Sequence, residues 1–109
     1  MKIAICDDDN SFLQNVKFLI NKIYSNPDKL SIYEYESGEQ FLLQFKPQFF
    51  DVIILDIEMC GITGLEVAEE IRKIDKSVIL AFLTSHQEFA TLGYEVNALY
   101  LKINLNTCL

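Results

Sequence analysis

Three acidic side chains carry the chemistry this sequence could perform. Asp7 and Asp8 follow the apolar run Ile3-Ala4-Ile5-Cys6, and Asp56 follows the run Val52-Ile53-Ile54-Leu55. An acid at the end of a buried strand is costly unless its charge is offset, because burial and neighbouring like charges both disfavour the ionised form. If the two runs form adjacent strands, roughly 5 Å apart, the three carboxylates converge. A hard divalent cation would relieve their repulsion. Mg²⁺ suits such a pocket, since it takes oxygen ligands, retains waters and commonly uses one or two carboxylates alongside a phosphate. Read separately, Asp7 and Asp8 have an ordinary explanation, because acids before a helix cap it and favour its dipole. Asp56 has no such explanation, as no helix signal follows until about Thr63.

Whether those acids meet depends on the elements that carry them. Residues 2–6 form a short, nearly continuous apolar run, as expected of a parallel strand buried on both faces. After the acidic stretch Asp7-Asp8-Asp9, Ser11 and Gln14 have capping-box spacing, with Asp9 as the alternative cap. Phe12, Val16, Leu19, Ile20 and Ile23 then recur as the inward stripe of an amphipathic helix that Asn26-Pro27-Asp28 ends. Residues 30–35 read as a second strand. Ser37 and Gln40 repeat the capping pattern before a short helix bearing Phe41, Leu42 and Phe45, closed by Pro47. Residues 51–56 give the clearest strand. Thr63 and Glu66 open the next helix, with Leu65, Ala68 and Ile71 inward. Residues 77–83 form a fourth strand, Ser85 and Glu88 cap a helix reaching about Leu92, and residues 98–103 form the last strand.

Strand and helix thus alternate throughout, which predicts a single α/β domain over residues 1–109 with right-handed crossovers onto a five-stranded parallel sheet. The expected architecture is flavodoxin-like and doubly wound, in the order 2-1-3-4-5. Ligands in such sheets bind at the carboxyl ends of strands near the switch point.

Composition narrows the function classes. Half of the 109 residues are hydrophobic, enough for a packed core, and the formal charge is -7 with nine Lys and Arg. So few basic residues argue against this segment gripping a nucleic-acid backbone. No apolar run approaches the roughly 18–20 residues of a membrane span. The N-terminus turns acidic at Asp7, too early for a signal peptide, so a cytoplasmic protein is expected. Cys6, Cys60 and Cys108 are odd in number and lack metal-site spacing, and they read as reduced thiols. His86, the single histidine, has no nucleophile motif beside it and reads as a surface helix residue.

Three strand-end motifs now stand in order: Ile3-Ala4-Ile5-Cys6-Asp7-Asp8-Asp9, then Asp51-Val52-Ile53-Ile54-Leu55-Asp56-Ile57-Glu58-Met59, then Leu83-Thr84-Ser85-His86. Together they resemble the receivers of two-component response regulators. With Gly93-Tyr94-Glu95-Val96-Asn97-Ala98-Leu99, the wording is most similar to receivers of LytTR-type transcription regulators. The resemblance runs from Met1 to about Leu99 and implies the CheY-like form of the fold. It also implies that Asp56 is a nucleophile taking a phosphoryl group from a sensor histidine kinase. Asp8 and Asp56 would bind Mg²⁺ directly, Asp7 through water, and the Glu58 backbone carbonyl would be a further ligand. Thr84 would contact a phosphoryl oxygen and move on activation. A self-phosphorylating signalling domain, and not a turnover enzyme, is the expected result.

The chain departs from the family pattern in three places. The family lysine falls late in the fifth strand, whereas here Lys102 comes two residues early and Asn104 occupies the ungapped position. A two-residue shift keeps strand facing, so Lys102 is taken as the functional lysine and Tyr100 as the switch aromatic, with Lys102 set back by about 6–7 Å unless the preceding helix is shortened. Cys60 stands where the family usually has proline, which should loosen the loop without removing a ligand. Residues 104–109 are too few for a fifth helix. The expectation is therefore a receiver truncated at its C-terminus, without an output domain, whose uncovered sheet face invites homodimerisation. Two other readings compete: a degenerate receiver acting as a phosphorylation-independent interaction module, and a Mg²⁺-dependent phosphatase or nuclease, which would need a cap or basic groove.

Overall fold

β1 (Lys2–Cys6) lies between β2 (Ser31–Tyr35) and β3 (Val52–Asp56), pairing with both in parallel. This computed structural model describes residues 1–24, 26–84 and 99–102, with backbone alone at Pro27, Thr84 and 99–102. β4 (Ile79–Thr84) and β5 (Leu99–Lys102) complete a five-stranded sheet in the order β2-β1-β3-β4-β5. The doubly wound order expected from the alternation is the observed one. The helix expected after Ser85, with His86, and the tail containing Asn104 and Cys108 lie outside the described residues.

Strand alternation sends apolar side chains to both faces. Ile3, Ile5, Ile54, Ala81 and Leu83 face α1 (Asn10–Ile23), where Leu13 and Val16 meet them. Ala4, Cys6, Ile53, Leu55, Leu80 and Phe82 face the other way, toward Phe41 of α2 (Gly38–Gln44) and Val67, Ala68 and Ile71 of α3 (Gly64–Ile74). Tyr35, Phe41 and Phe50 pack edge-on or tilted beneath α2, and Lys2 stacks its ammonium 4.1 Å from the Phe49 ring centroid.

The caps decide where each helix starts, and so where each loop ends. Asp9, not Ser11, caps α1: its Oδ1 accepts from the N–H of Ser11 at 3.0 Å and of Phe12 at 3.2 Å. The stripe drawn for α1 is corrected at its end, since Ile23 is 80% exposed and Leu13 is buried instead. Ser37 caps α2, but the Gln40 side chain accepts from Glu36 N–H and not from Ser37, so the reciprocal box is absent there. α3 has the full box, with Thr63 Oγ1 accepting from Glu66 N–H at 3.2 Å and Glu66 Oε1 accepting from Thr63 N–H at 3.1 Å. Thr63→Ala is expected to cost about 1 kcal/mol. It should lower the Tm by roughly 4–8 °C, read by circular dichroism.

Asp75, only 4% exposed, is a buried acid the sequence reading passed over. Burial pushes its pKa up, but N–H donors from Gln48, Ser77 and Val78 and the Ser77 hydroxyl outweigh that and hold it below the ordinary carboxylate value. It thereby ties the approach to β3 to the approach to β4, stiffening the base of the two strands that meet the site.

Candidate functional site at the carboxyl rim of the sheet

The switch point falls between β1 and β3, where Cys6 pairs with Leu55 and each strand ends in acids. Ligand oxygens of Asp7, Asp8 and Asp56 all lie within 4.8 Å of one another. Asp7 is buried, at 2% exposure, Asp56 is half-buried and Asp8 is exposed. Each is oriented by a backbone donor. Asp9 N–H donates to Asp7 Oδ1 at 2.9 Å, Glu58 N–H to Asp56 Oδ1 at 3.3 Å, and Cys60 N–H to Asp8 Oδ2 at 2.9 Å.

Crowding perturbs these acids strongly. Burial first, then the Asp7 and Asp8 charges, push the Asp56 pKa up to about 7, against the lowering effect of the Glu58 N–H. Asp7 is raised too, by burial first, with the charges of Asp8 and Asp9 adding to it and the hydrogen bonds from Asp9 N–H and Asp56 working against it. The same field, on top of burial, drives the Cys6 thiol to about 12 and makes it inert as a nucleophile. A cluster of hard oxygen donors that cannot all ionise is the donor set a divalent cation such as Mg²⁺ fits. Among the described residues this is the one such acidic group.

The loop after Asp56 is pinned from several sides. Ile57 and Met59 are buried, with Cys6 Sγ 3.7 Å from Met59 Sδ. Gly61 takes a left-handed φ of 81°, and Ile62 N–H donates to Glu39 Oε2 at 3.0 Å. Gly64 closes the loop by donating to Ile57 O at 3.0 Å, and its missing side chain leaves room for the Asp56 carbonyl group. Glu39 and Gly64 were not singled out from the sequence. Glu39 carried no pattern of its own, whereas Gly64 directly after the Thr63 cap is the kind of small residue that marks a close backbone approach.

At the other side of the rim the register is informative. Asp56 pairs with Leu83, and Thr84 pairs with Lys102. Thr84 and Lys102 thus stand together in the row just beyond Asp56, at the backbone level. Tyr100 pairs with Phe82, two residues further in.

Residues 3–101 match the response regulator receiver domain family. The chain belongs to that family. Among curated relatives, the sensory transduction protein LytR of Staphylococcus epidermidis is 33% identical over 98 residues, covering 90% of this chain and 38% of the relative. LytT of Oceanobacillus iheyensis is 31% identical, covering 88% of this chain and 39% of its own length. The receiver therefore spans about two-fifths of the relatives it matches, and it is homologous to their LytR and LytT class. Among solved structures, the response regulator TrrA of Thermotoga maritima, in complex with Mg²⁺-BeF, aligns with a TM-score of 0.78 at 29% identity, over 96% of this chain and 88% of that one. TrrA in complex with the histidine kinase ThkA aligns with a TM-score of 0.75 at 32% identity, over 98% of this chain and 90% of that one. No helix among the described residues is long and apolar enough to cross a membrane.

Proposed function

We propose that this receiver accepts a phosphoryl group on Asp56 from the phosphohistidine of a sensor histidine kinase, with Mg²⁺ in the acidic pocket. The observation that carries the reading is the convergence of Asp7, Asp8 and Asp56 within 4.8 Å at the carboxyl rim. Asp8 and Asp56 would ligate the ion directly, Asp7 through water, and the Glu58 carbonyl would add a backbone oxygen. Bound there, Mg²⁺ supplies the charge neutralisation on which phosphoryl transfer chiefly depends. A carboxylate oxygen of Asp56 forms the new O–P bond as the P–N bond to the kinase histidine breaks, and the departing imidazole nitrogen keeps the electron pair and takes a proton. Glu58 N–H orients Asp56 for the attack.

Thr84 and Lys102 are the groups we assign to the transferred phosphoryl, and their pairing across β4 and β5 supports placing both at the same level of the rim. That register favours Lys102 over Asn104 as the functional lysine. Thr84 and Tyr100 would carry the switch to an output surface, and in a longer regulator of the LytR class the output would be transcription control. The kinase partner is supported by the likeness to TrrA, which has been solved with ThkA.

The test is intact-mass analysis after incubation with Mg²⁺ and acetyl phosphate. A single phosphoryl adduct, absent when the metal is chelated, is the expected result. Mg²⁺ binding without an adduct would replace this reading with a phosphorylation-independent interaction module, and steady turnover of an added phosphoester would point to a hydrolase.

A further inference from the structure

We propose that Glu39 is a positioning residue whose carboxylate anchors the far end of the loop after Asp56 and so holds the Glu58 peptide at the cation pocket. This rests on the reading of that pocket as a Mg²⁺ site.

The loop leaves the sheet at Asp56 and enters α3 at Gly64. Near Asp56 it is held from within, since Ile57 and Met59 are buried and Glu58 N–H donates to Asp56 Oδ1. Further along, Cys60 and Gly61 are exposed and Ile62 is half-buried, so this stretch needs a hold from outside.

The first turn of α2 supplies it. Glu39 lies 23 residues before Ile62, and its Oε2 accepts the Ile62 N–H at 3.0 Å. Two glycines make the approach possible. A Cβ added at Gly61 would collide with the Glu39 carboxylate, and one added at Gly38 would lie 2.5 Å from Ile62 Cγ2 and 2.6 Å from Val67 Cγ2. Each segment thus fills the space that the other's glycine leaves open. The left-handed φ of Gly61 sets the turn just before the bonded N–H, a conformation in which a side chain would be strained.

The ordinary role for an acid at this point in a helix is to favour the dipole, which requires a charge and no particular partner. Glu39 has a particular partner, and Glu58 sits between it and the sheet. A loop pinned at both ends keeps its peptide groups where a metal and Asp56 need them, and groups that orient metal ligands from outside tune affinity.

Two variants separate acceptor from charge. Glu39→Gln keeps an oxygen for the Ile62 N–H and drops the charge, whereas Glu39→Ala drops both. Mg²⁺ titration of the full chain by calorimetry should show Glu39→Gln equal to the unsubstituted chain. Glu39→Ala should bind about fivefold more weakly, under the roughly tenfold floor for a group bonded to the ligand itself. Equal affinity in Glu39→Ala, or a loss in Glu39→Gln as large as in Glu39→Ala, overturns the proposal while leaving the Mg²⁺ site standing. No Mg²⁺ binding by the unsubstituted chain overturns the proposed function and this inference with it.

Amide hydrogen exchange in metal-free buffer gives a second reading. Glu39→Ala should speed exchange at Ile62 and also at Glu58, whose N–H bonds Asp56, and leave Asp9, bonded to Asp7, as it was. Faster exchange at Ile62 alone, or at neither, would show that the anchor does not reach the pocket and overturns the proposal.

Discussion

Asp56→Asn is expected to abolish the phosphoryl adduct and, at the same time, to make the metal-free receiver more stable at pH 8. The first effect follows from removing the attacking carboxylate. The second follows from the raised pKa of Asp56, about 7 in the fold. Below the ordinary carboxylate value, near 3.8, folded and unfolded chains are both protonated at this position. Above it the unfolded chain ionises while Asp56 in the native chain keeps its proton, so native stability falls as pH rises until Asp56 itself ionises near 7. The slope is at most about 1.4 kcal/mol per pH unit. Allowing for the water that reaches half-buried Asp56, about 2 kcal/mol is lost between pH 5 and pH 8. For a chain of this size that is a Tm drop of roughly 10 °C.

The variant, lacking the crowded charge, should stay nearly flat across the same range. Asp75 does not blur the comparison. Its pKa is lowered, so the stability it confers is lost only in acid, below the window. Mg²⁺ should restore about 2.7 kcal/mol to the unsubstituted chain at a hundredfold excess over its Kd. It should do much less for the variant. Differential scanning calorimetry at pH 5 and pH 8, with and without Mg²⁺, reads all of this. A metal-free Tm that is level or rises toward pH 8 would show that the three carboxylates do not repel as described.

Gly64→Ala should destabilise the receiver by about 3 kcal/mol, against the direction that helix propensity dictates. On propensity alone, alanine at the first residue of α3 would stabilise by about 1 kcal/mol. The added Cβ, however, would run into the Asp56 carbonyl oxygen and sit 2.8 Å from its carbon and 3.0 Å from Ile57 Cα. Those are backbone atoms, which cannot swing aside, so either α3 retreats or the Asp56 carboxylate is displaced from Asp7 and Asp8. Loss of Mg²⁺ affinity together with a Tm lowered by well over 10 °C is the expected outcome of chemical and thermal denaturation. An unchanged or raised Tm would mean that the loop gives way freely.

How far the sequence discloses such a site depends on whether the deciding interaction is local. The strand runs ending at Cys6 and Asp56 are local features, whereas their adjacency was an expected outcome of the alternation of strand and helix that the strand order in the sheet bears out. The α3 box at Thr63 and Glu66 is equally local and is realised. Asp9 against Ser11 was undecidable, because both spacings satisfy the first-turn donors and only the backbone conformation selects between them. Ile23 illustrates the opposite failure. It fits the apolar period of α1, yet in the last turn the helix has run past the surface it packs against, so periodicity holds while burial does not.

The pocket's supporting groups were legible only in part. Asp75 went unread, although an Asp two residues before a Ser is a turn pattern that could have suggested its backbone capping, if not its burial. The Cys60 N–H and Glu39 had no signature, because a backbone donor is common to almost every residue, and its partner is set by how loops from distant segments meet. The Thr84 and Lys102 pairing depends on how far the intervening chain carries β5 along β4, and nothing within residues 98–103 encodes that distance.

The central position of β1 has a consequence for biosynthesis. β1 leaves the ribosome before either of its partners, and it needs hydrogen-bonding neighbours on both sides, one from residues 31–35 and one from residues 52–56. A nascent fragment that stops short of β3 presents the open flank of Ile3-Ala4-Ile5-Cys6 to other chains, as an aggregation-prone edge. Because β3 in turn needs β4 on its far side, an autonomous piece of this protein has to reach beyond Asp56 to residues 79–83, and shortening from the C-terminal side should increase aggregation first when β4 is lost and again when β3 is lost.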